Sequence, residues 1–358
     1  MEKHTYNIIG VMSGTSLDGV DLVFIEFQFD GFWHFEIKHF ETVAYQKEWL
    51  EKLKKLVYYP IEKLQQIDDD YTVYLSEIIT NFIKKNTIKH IDAICSHGHT
   101  ALHQPKKRLT YQIGNKPILA KLLHNTVVCD FRIQDVELGG QGAPLVPIGD
   151  KLLFSNYDYC LNLGGFANIS TEIENNRIAY DICPVNSVLN KYANKLGIDY
   201  DNGGKIASTG TINKTLLSQL NTLSYYQETY PKSLGIEWVN THIFPLIDSF
   251  KIEIKDVLKT VVEHISIQIA SEINKKHNAS ILITGGGTYN TYLINRIKKQ
   301  SKQTIVIPKK EIIEYKEALI FGLLGVLKLR GQVNCLKSVT GAKKDHSSGK
   351  IYLHKNNN

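Results

Sequence analysis

The stretch GVMSGTSLDGVD, Gly10 to Asp21, lies between two apolar runs, YNIIGVM before it and VDLVFIEF after it. Its glycine, serine, threonine and aspartate residues spell a tight polar reversal between two buried strands. The run that follows, WHFEIKHFETV, alternates polar and apolar side chains as a half-buried strand does. Three strands in succession predict an antiparallel meander whose first turn carries the residues of an anion cradle.

The same order recurs from Tyr157. YDYCLNLGGFANISTEIENNRIAYDICP gives an apolar run, a turn at Gly164 and Gly165, a second strand, a turn at Glu174 to Asn176 and a third strand into Asp181. The two copies share little sequence, so the repeat is one of architecture, and it predicts an α/β chain of two related lobes. Helical periodicity appears over Lys47 to Leu56, Ile61 to Asn86 and Asp256 to His277. ASILIT then reads as a buried strand ended by Gly285 to Gly287, and QTIVIP and EALIFGLLGVLKL complete the series as strand and core helix. The expected division is 1–138 plus 335–358 for the first lobe and 139–334 for the second, with the polar tail from Ala342 as a disordered end.

Composition narrows the function classes. A chain of 358 residues, 43% hydrophobic and 22% charged, can build a full core. Its formal charge of +6 is spread over several helical faces, so no nucleic-acid or membrane patch is required. Cys95, Cys129, Cys160, Cys183 and Cys335 are odd in number and contain no CxxC pair, which argues against a disulfide framework and a thiolate zinc site. No apolar run approaches a membrane span or a signal segment, and the expectation is a cytoplasmic protein.

Each glycine turn has a physical job available to it. Glycine lets backbone N–H groups approach an anion without obstruction, and hydroxyl side chains add donors. SGTSLDG, LNLGGFAN and TGGGTYN each stand at a strand end, and three of them in a duplicated chain favour phosphate binding over simple hairpins. No GxxxxGK[ST] is present, since NGGKIAST puts Ala, not Ser or Thr, near its Lys and lacks a preceding buried strand, and no GxGxxG opens a helix. Glycine-loop, HRD and DFG elements of protein kinases are missing too. Asp181, at the end of the third strand of the repeat, is the carboxylate placed to take a proton from water or a hydroxyl. Asp18 and Asp21 are candidates to orient Mg²⁺, Asp18 through water. His97, His99 and His103 lack a partnered acid at ligand spacing and are read as polar loop residues, not a metal site.

GVMSGTSLDGVD, SHGHT (Ser96 to Thr100), QIGN (Gln112 to Asn115), DFR (Asp130 to Arg132), GGQGAPLVP (Gly139 to Pro147), LNLGGFANIS and VTGA (Val339 to Ala342) together resemble the anhydro-N-acetylmuramic acid kinase family. The resemblance runs over nearly the whole chain. It implies the two-lobed actin, Hsp70 and sugar-kinase superfold, a duplicated RNase H-like fold with a cleft between the lobes. The implied reaction uses ATP and Mg²⁺ to open 1,6-anhydro-N-acetylmuramic acid with water and phosphorylate it, giving N-acetylmuramic acid 6-phosphate in peptidoglycan recycling. Asp181 falls at the family's catalytic aspartate. The implied ATP contacts are Gly14, Thr15, Ser16, Leu17, Asp18, Gly19, Val20 and Asp21, then Gly164 and Gly165, then Gly285, Gly286 and Gly287. His97, Thr100, Arg132, Lys232 and Glu317 are the implied sugar contacts. The implied partners are the amino sugar and ATP, with no nucleic acid or membrane, and a homodimer is the assembly to test.

The chain departs from the family pattern at two places. After Asp181 the family's two loop glycines are Cys183 and Val185, which predicts either a different loop path or a narrowed sugar pocket. After DFR a basic pair is replaced by Ile133 and Gln134, which removes positive charge from the expected place of the sugar's carboxylate. Two other functions stay open at this point: a kinase of the same fold for a different sugar, and a nucleotide-dependent interaction protein.

Overall fold

The structure, a computed structural model, describes residues 3–14 and 17–354. The first strands are β1 (Thr5–Ser13), β2 (Val20–Phe29), β3 (Trp33–Val43), β4 (Ala93–Gln104), β5 (Leu109–Ile113) and β6 (Val127–Cys129). The later ones are β7 (Tyr159–Leu163), β8 (Phe166–Ile173), β9 (Asn176–Pro184), β10 (Ser280–Thr284), β11 (Thr304–Val306) and β12 (Lys350–Tyr352). They form two sheets, ordered β12-β6-β4-β1-β2-β3 with β5 beside β4, and β11-β10-β7-β8-β9.

The duplication read from the sequence is present in this topology. β1, β2 and β3 are an antiparallel meander with β4 parallel to β1 and β6 parallel to β4. β7, β8 and β9 repeat it, with β10 parallel to β7 and β11 parallel to β10. In each sheet the central strand is apolar because both of its faces are covered.

Two compact units follow the sheets: Met1–Leu153 with Tyr315–Asn358, and Phe154–Glu314. Residues 139–153 and 315–334, expected in the second lobe, therefore belong to the first unit. The reason is packing. The helix Lys310–Leu329 lies so close on β1 that a Cβ on Gly10 would meet the Ala318 carbonyl oxygen at 2.1 Å. Pro147–Leu153 joins it through a buried ion pair, Lys316 Nζ to Asp150 Oδ1 at 2.6 Å. On the other face of β1, Ile9 and Val11 share a core with Leu64, Tyr71 and Leu75 of the helix Ile61–Lys85.

In the second unit the helix Ile254–Ile273 presents Leu258, Val261, Val262, Ile265, Ile269 and Ile273 to a core that also holds Leu161, Leu163 and Ile169. The tail expected to be disordered is folded as far as His354. β12 pairs with β6, Ser348 is buried, and Asn334 bonds it in both directions, donating to the Ser348 carbonyl at 2.9 Å and accepting its N–H at 2.6 Å. Polar composition did not prevent burial here because Ser348 and Asn334 satisfy each other.

Candidate functional site

The residues singled out from the sequence fall into two sets, one in each unit. In the first unit, the link between β1 and β2 is the quoted glycine turn. Thr15 and Ser16 lie outside the described residues. Leu17 holds φ +62°, a region that costs a residue with a side chain about 1–2 kcal/mol, and its N–H reaches the Gly14 carbonyl at 3.4 Å. Strain of this kind concentrates where function fixes the backbone. Asp18 is exposed on the turn, Gly19 and Val20 are buried, and Asp21 accepts a 2.6 Å hydrogen bond from Thr42 Oγ1.

The turn is rooted from below by side chains. Ser13, the last residue of β1, has its Oγ 2.8 Å from His99 Nδ1, accepts from the Tyr71 hydroxyl at 2.9 Å and also bonds the Tyr45 hydroxyl. Tyr45 and Tyr71 bond each other at 2.9 Å. Burial holds the imidazole of His99 down to a pKa of about 4, so the ring is neutral in this cluster. Sequence reading missed Ser13, Tyr45 and Tyr71, because nothing in their spacing announces that they converge.

Beside this cluster stands Arg132. Its Nε donates to His97 Nε2 at 2.8 Å and its Nη1 to the Gly142 carbonyl at 2.7 Å. His97 Nδ1 lies 2.8 Å from the Gly98 carbonyl, an acceptor only, so this nitrogen carries the proton and Nε2 accepts from the arginine. Burial and the Arg132 charge both depress the His97 pKa. His97 was expected at the substrate, and both of its ring nitrogens are engaged by protein groups, the Gly98 carbonyl and the Arg132 guanidinium. Glu317 is exposed on the helix Lys310–Leu329. Its charge acts on Arg132, opposing the larger lowering of the guanidinium pKa by burial. Thr100 is part-buried, with Gln112 Nε2 at 3.4 Å from its hydroxyl.

In the second unit, Asp181 sits in β9 opposite Asn168 of β8. Its Oδ2 accepts the Leu234 N–H at 2.8 Å, and its backbone is held by the Tyr225 hydroxyl, donating at 2.7 Å, and by the Lys232 carbonyl at 3.4 Å. No partner for Oδ1 is found among the described residues. Burial raises the carboxyl's pKa, and the Leu234 N–H only partly opposes it. A carboxylate with one oxygen fixed, the other unengaged and a raised pKa suits a proton acceptor. Lys232 is part-buried, its Nζ 3.3 Å from the Tyr225 carbonyl and 4.7 Å from that ring's centroid, and burial lowers its pKa. Tyr225 and Leu234 were not read from the sequence, although Lys232 between them was.

The Gly164–Gly165 turn is anchored differently from the first. Gly164 N–H bonds the Phe166 carbonyl at 3.1 Å and is not available to a phosphate. The two glycine carbonyls accept from the segment that follows Asp181: Gly164 O from Asn186 N–H at 3.2 Å, Gly165 O from Val185 N–H at 2.8 Å and Ser187 N–H at 3.2 Å. Cys183 and Val185 are fully buried in this unit's core, and Val185 holds φ −124°. Both side chains that depart from the glycine pattern are thus taken up by the core of this unit.

Gly285, at φ +85°, lies against the end of β7, where a Cβ would meet Asn162 Oδ1 at 2.5 Å and the Leu163 carbonyl at 2.8 Å. Gly286 is exposed with nothing near its Cβ position, whereas Gly287 is buried against Leu163. Asn290 then caps the helix Thr291–Gln300, accepting the Leu293 N–H at 3.0 Å. The NGG turn rejected as a P-loop packs here too, since Thr291 Oγ1 donates to the Gly203 carbonyl at 3.1 Å.

The anhydro-N-acetylmuramic acid kinase family model matches residues 6–354. The anhydro-N-acetylmuramic acid kinase of Haemophilus influenzae is 32% identical over 96% of this chain and 97% of its own length. The enzyme of the same name from Mannheimia succiniciproducens is 33% identical over 98% and 100%. Among solved structures, the Clostridium difficile activator of 2-hydroxyisocaproyl-CoA dehydratase with bound ADPNP aligns with 90% of this chain and 96% of its own, at 12% identity and a TM-score of 0.46, a distant likeness only.

Proposed function

The chain belongs to the anhydro-N-acetylmuramic acid kinase family, and from that premise we propose that it uses ATP to open 1,6-anhydro-N-acetylmuramic acid with water and to phosphorylate it to the 6-phosphate. The observation that carries the reading is Asp181, retained in a chain that matches the family over its length and held with one carboxylate oxygen fixed and the other unengaged. Asp181 takes a proton from water as the water oxygen bonds the anomeric carbon. The bond from that carbon to the bridging oxygen breaks, and this oxygen, now the primary alkoxide, takes the γ-phosphoryl group of ATP. ADP leaves, and the proton passes from Asp181 to solvent.

The glycine turns have separate parts in this reaction. The Gly14–Asp21 link and Gly165 hold the phosphates, while Gly286, exposed beside the buried Gly287, faces the nucleoside. Arg132 contacts the sugar, aimed by His97, with Thr100, Glu317 and Lys232 as further sugar contacts. Asp18 fits magnesium by donor type, since a hard cation takes carboxylate oxygen and an exposed carboxylate leaves room for the ion's own waters. The ion would neutralise phosphate charge. The protein would work in the cytoplasm, and no helix among the described residues is long and apolar enough to cross a membrane.

The test is incubation with ATP, Mg²⁺ and the anhydro sugar, with products resolved by mass. A product that gains both water and phosphate, absent with Asp181→Asn, is the expected result. Wild-type protein that binds ATP yet leaves this sugar unchanged would sink the reading and send the search to other sugars.

A further inference from the structure

A second cluster, with no part in the reaction above, lies inside the first unit. Asp135, in the helix Ile133–Glu137, is 0% exposed, Cys335 1% and His346 5%. Cys335 and His346 face each other across an isolated antiparallel bridge, each N–H bonding the other's carbonyl at 3.1 Å. The bridge sets both side chains on a carboxylate 200 residues away from Cys335 in the chain: Cys335 Sγ is 3.0 Å from Asp135 Oδ1, and His346 Nε2 is 3.6 Å from the same oxygen. The sulfur, nitrogen and oxygen atoms all lie within 4.8 Å of one another.

The imidazole supplies an independent observation. His346 Nδ1 is 3.1 Å from the Lys344 carbonyl, so that nitrogen carries a proton and, in the neutral ring, Nε2 presents a lone pair. Nε2 is buried without a hydrogen-bond partner among the described residues. A buried lone pair pointing toward a carboxylate is unfavourable unless something positive lies between them. Asp135 meanwhile stays oriented by other bonds, since Thr340 Oγ1 donates to Oδ1 at 2.7 Å and the Gly142 N–H to Oδ2 at 2.7 Å.

We propose that Asp135 Oδ1, Cys335 Sγ and His346 Nε2 bind a divalent transition metal of the zinc class, with Thr340 Oγ1 or water as the fourth ligand. A carboxylate, a thiolate and an imidazole are a borderline donor set that suits zinc and cobalt, and their two negative charges neutralise the dication in a buried site. Ligand bonds of about 2.0–2.3 Å at tetrahedral angles place donor atoms roughly 3.3–3.6 Å apart. The nitrogen-to-oxygen separation of 3.6 Å lies at the upper end of that range, the sulfur must move away from the oxygen by about 0.5 Å, and the sulfur-to-nitrogen separation, within 4.8 Å, must come to about 3.5 Å. On binding, the Cys335 S–H bond breaks, its proton leaves to solvent, and the thiolate bonds the metal in place of the hydrogen bond to Asp135. The bound ion ties the C-terminal segment to the helix that begins beside Arg132 and to Gly142, whose carbonyl Arg132 grips. Its role is structural, and it is independent of which sugar the enzyme uses.

The experiment is a titration of chelator-stripped, full-length protein with Co²⁺ alone, followed by absorbance. One ion per chain, a thiolate-to-cobalt charge-transfer band in the near ultraviolet, tetrahedral bands in the visible and displacement of all of these by Zn²⁺ are expected. Cys335→Ser should remove the charge-transfer band, His346→Gln should weaken binding at least tenfold, and the control Cys160→Ser should change neither. The proposal is overturned if wild-type protein gives no such band, if Cys335→Ser retains it, or if His346→Gln binds as wild type does. Should a variant fail to fold, the wild-type titration and the rise in Tm on adding Zn²⁺ decide alone, absence of either counting against the site.

Discussion

The two meanders share a topology but anchor their glycine turns by different means. In the first, the strand end is held by side chains: Ser13 with His99, Tyr45 and Tyr71, and Asp21 with Thr42. In the second, it is held by main chain, the Gly164 and Gly165 carbonyls accepting from the Val185–Ser187 segment and Gly285 lying on Leu163. The second arrangement ties the Gly164–Gly165 turn directly to the chain that leaves Asp181, so in the proposed reaction nucleotide and base would be placed by one backbone. Side-chain anchoring can be removed by single substitutions, whereas backbone anchoring yields only to changes of backbone shape.

The largest expected effect is at the base. Asp181→Asn keeps an oxygen for the Leu234 N–H but cannot accept the proton, and turnover should fall by about 10²–10⁴-fold with the melting temperature little changed. A steady-state assay beside thermal unfolding checks this, and near-normal turnover would remove Asp181 from the mechanism. The same group predicts the pH profile. Burial raises its pKa, and only the ionised form is a base, so turnover should fall as pH drops through a midpoint above the ordinary carboxylate value of about 4. An acid limb at or below that value, unchanged when the sugar is saturating, would contradict the assignment.

Gly285→Ala tests the backbone-anchored side. A methyl group there meets Asn162 and Leu163 from a left-handed φ, so the variant should lose about 1–3 kcal/mol in denaturant unfolding and show a raised KM for ATP. Ser13→Ala tests the other anchor. It leaves Tyr45 and Tyr71 bonded to each other but strips His99 Nδ1 of its bond to Ser13, and the expected loss is about 1–2 kcal/mol, again with a weaker grip on ATP. If Ser13→Ala leaves the KM for ATP unmoved while Gly285→Ala raises it, the first turn does not hold phosphate. The smallest effect is expected for Ser187→Ala, below about 1 kcal/mol, because two backbone bonds to Gly165 O remain when its hydroxyl bond is lost.

The fold was legible because strand period and glycine punctuation are local signals, and both meanders carry them from Thr5 to Val43 and from Tyr159 to Pro184. In the sequence Asp181 reads as the end of its strand, but β9 runs on to Pro184 and the carboxylate lies within the ladder opposite Asn168, because the apolar residues after it continue the pairing. The division at Leu153 and Tyr315 was not, since it depends on Ala318 lying over Gly10, a contact that leaves its mark only as one glycine in a strand. The two partners of the His97 ring were not legible, because its motif says nothing of them. The Asp135, Cys335 and His346 cluster escaped because metal spacing rules look for near neighbours, and here the bridge between Cys335 and His346 does the gathering.

One measurement addresses the coupled reaction most directly: single-turnover reaction of the anhydro sugar and ATP in heavy-oxygen water, quenched quickly and read by mass fragmentation. The account predicts one heavy oxygen on the anomeric carbon of the phosphorylated sugar and none in its phosphate. Heavy oxygen in released inorganic phosphate, with the sugar ring still closed, would mean that water attacks ATP and that Asp181 does not direct it to the sugar.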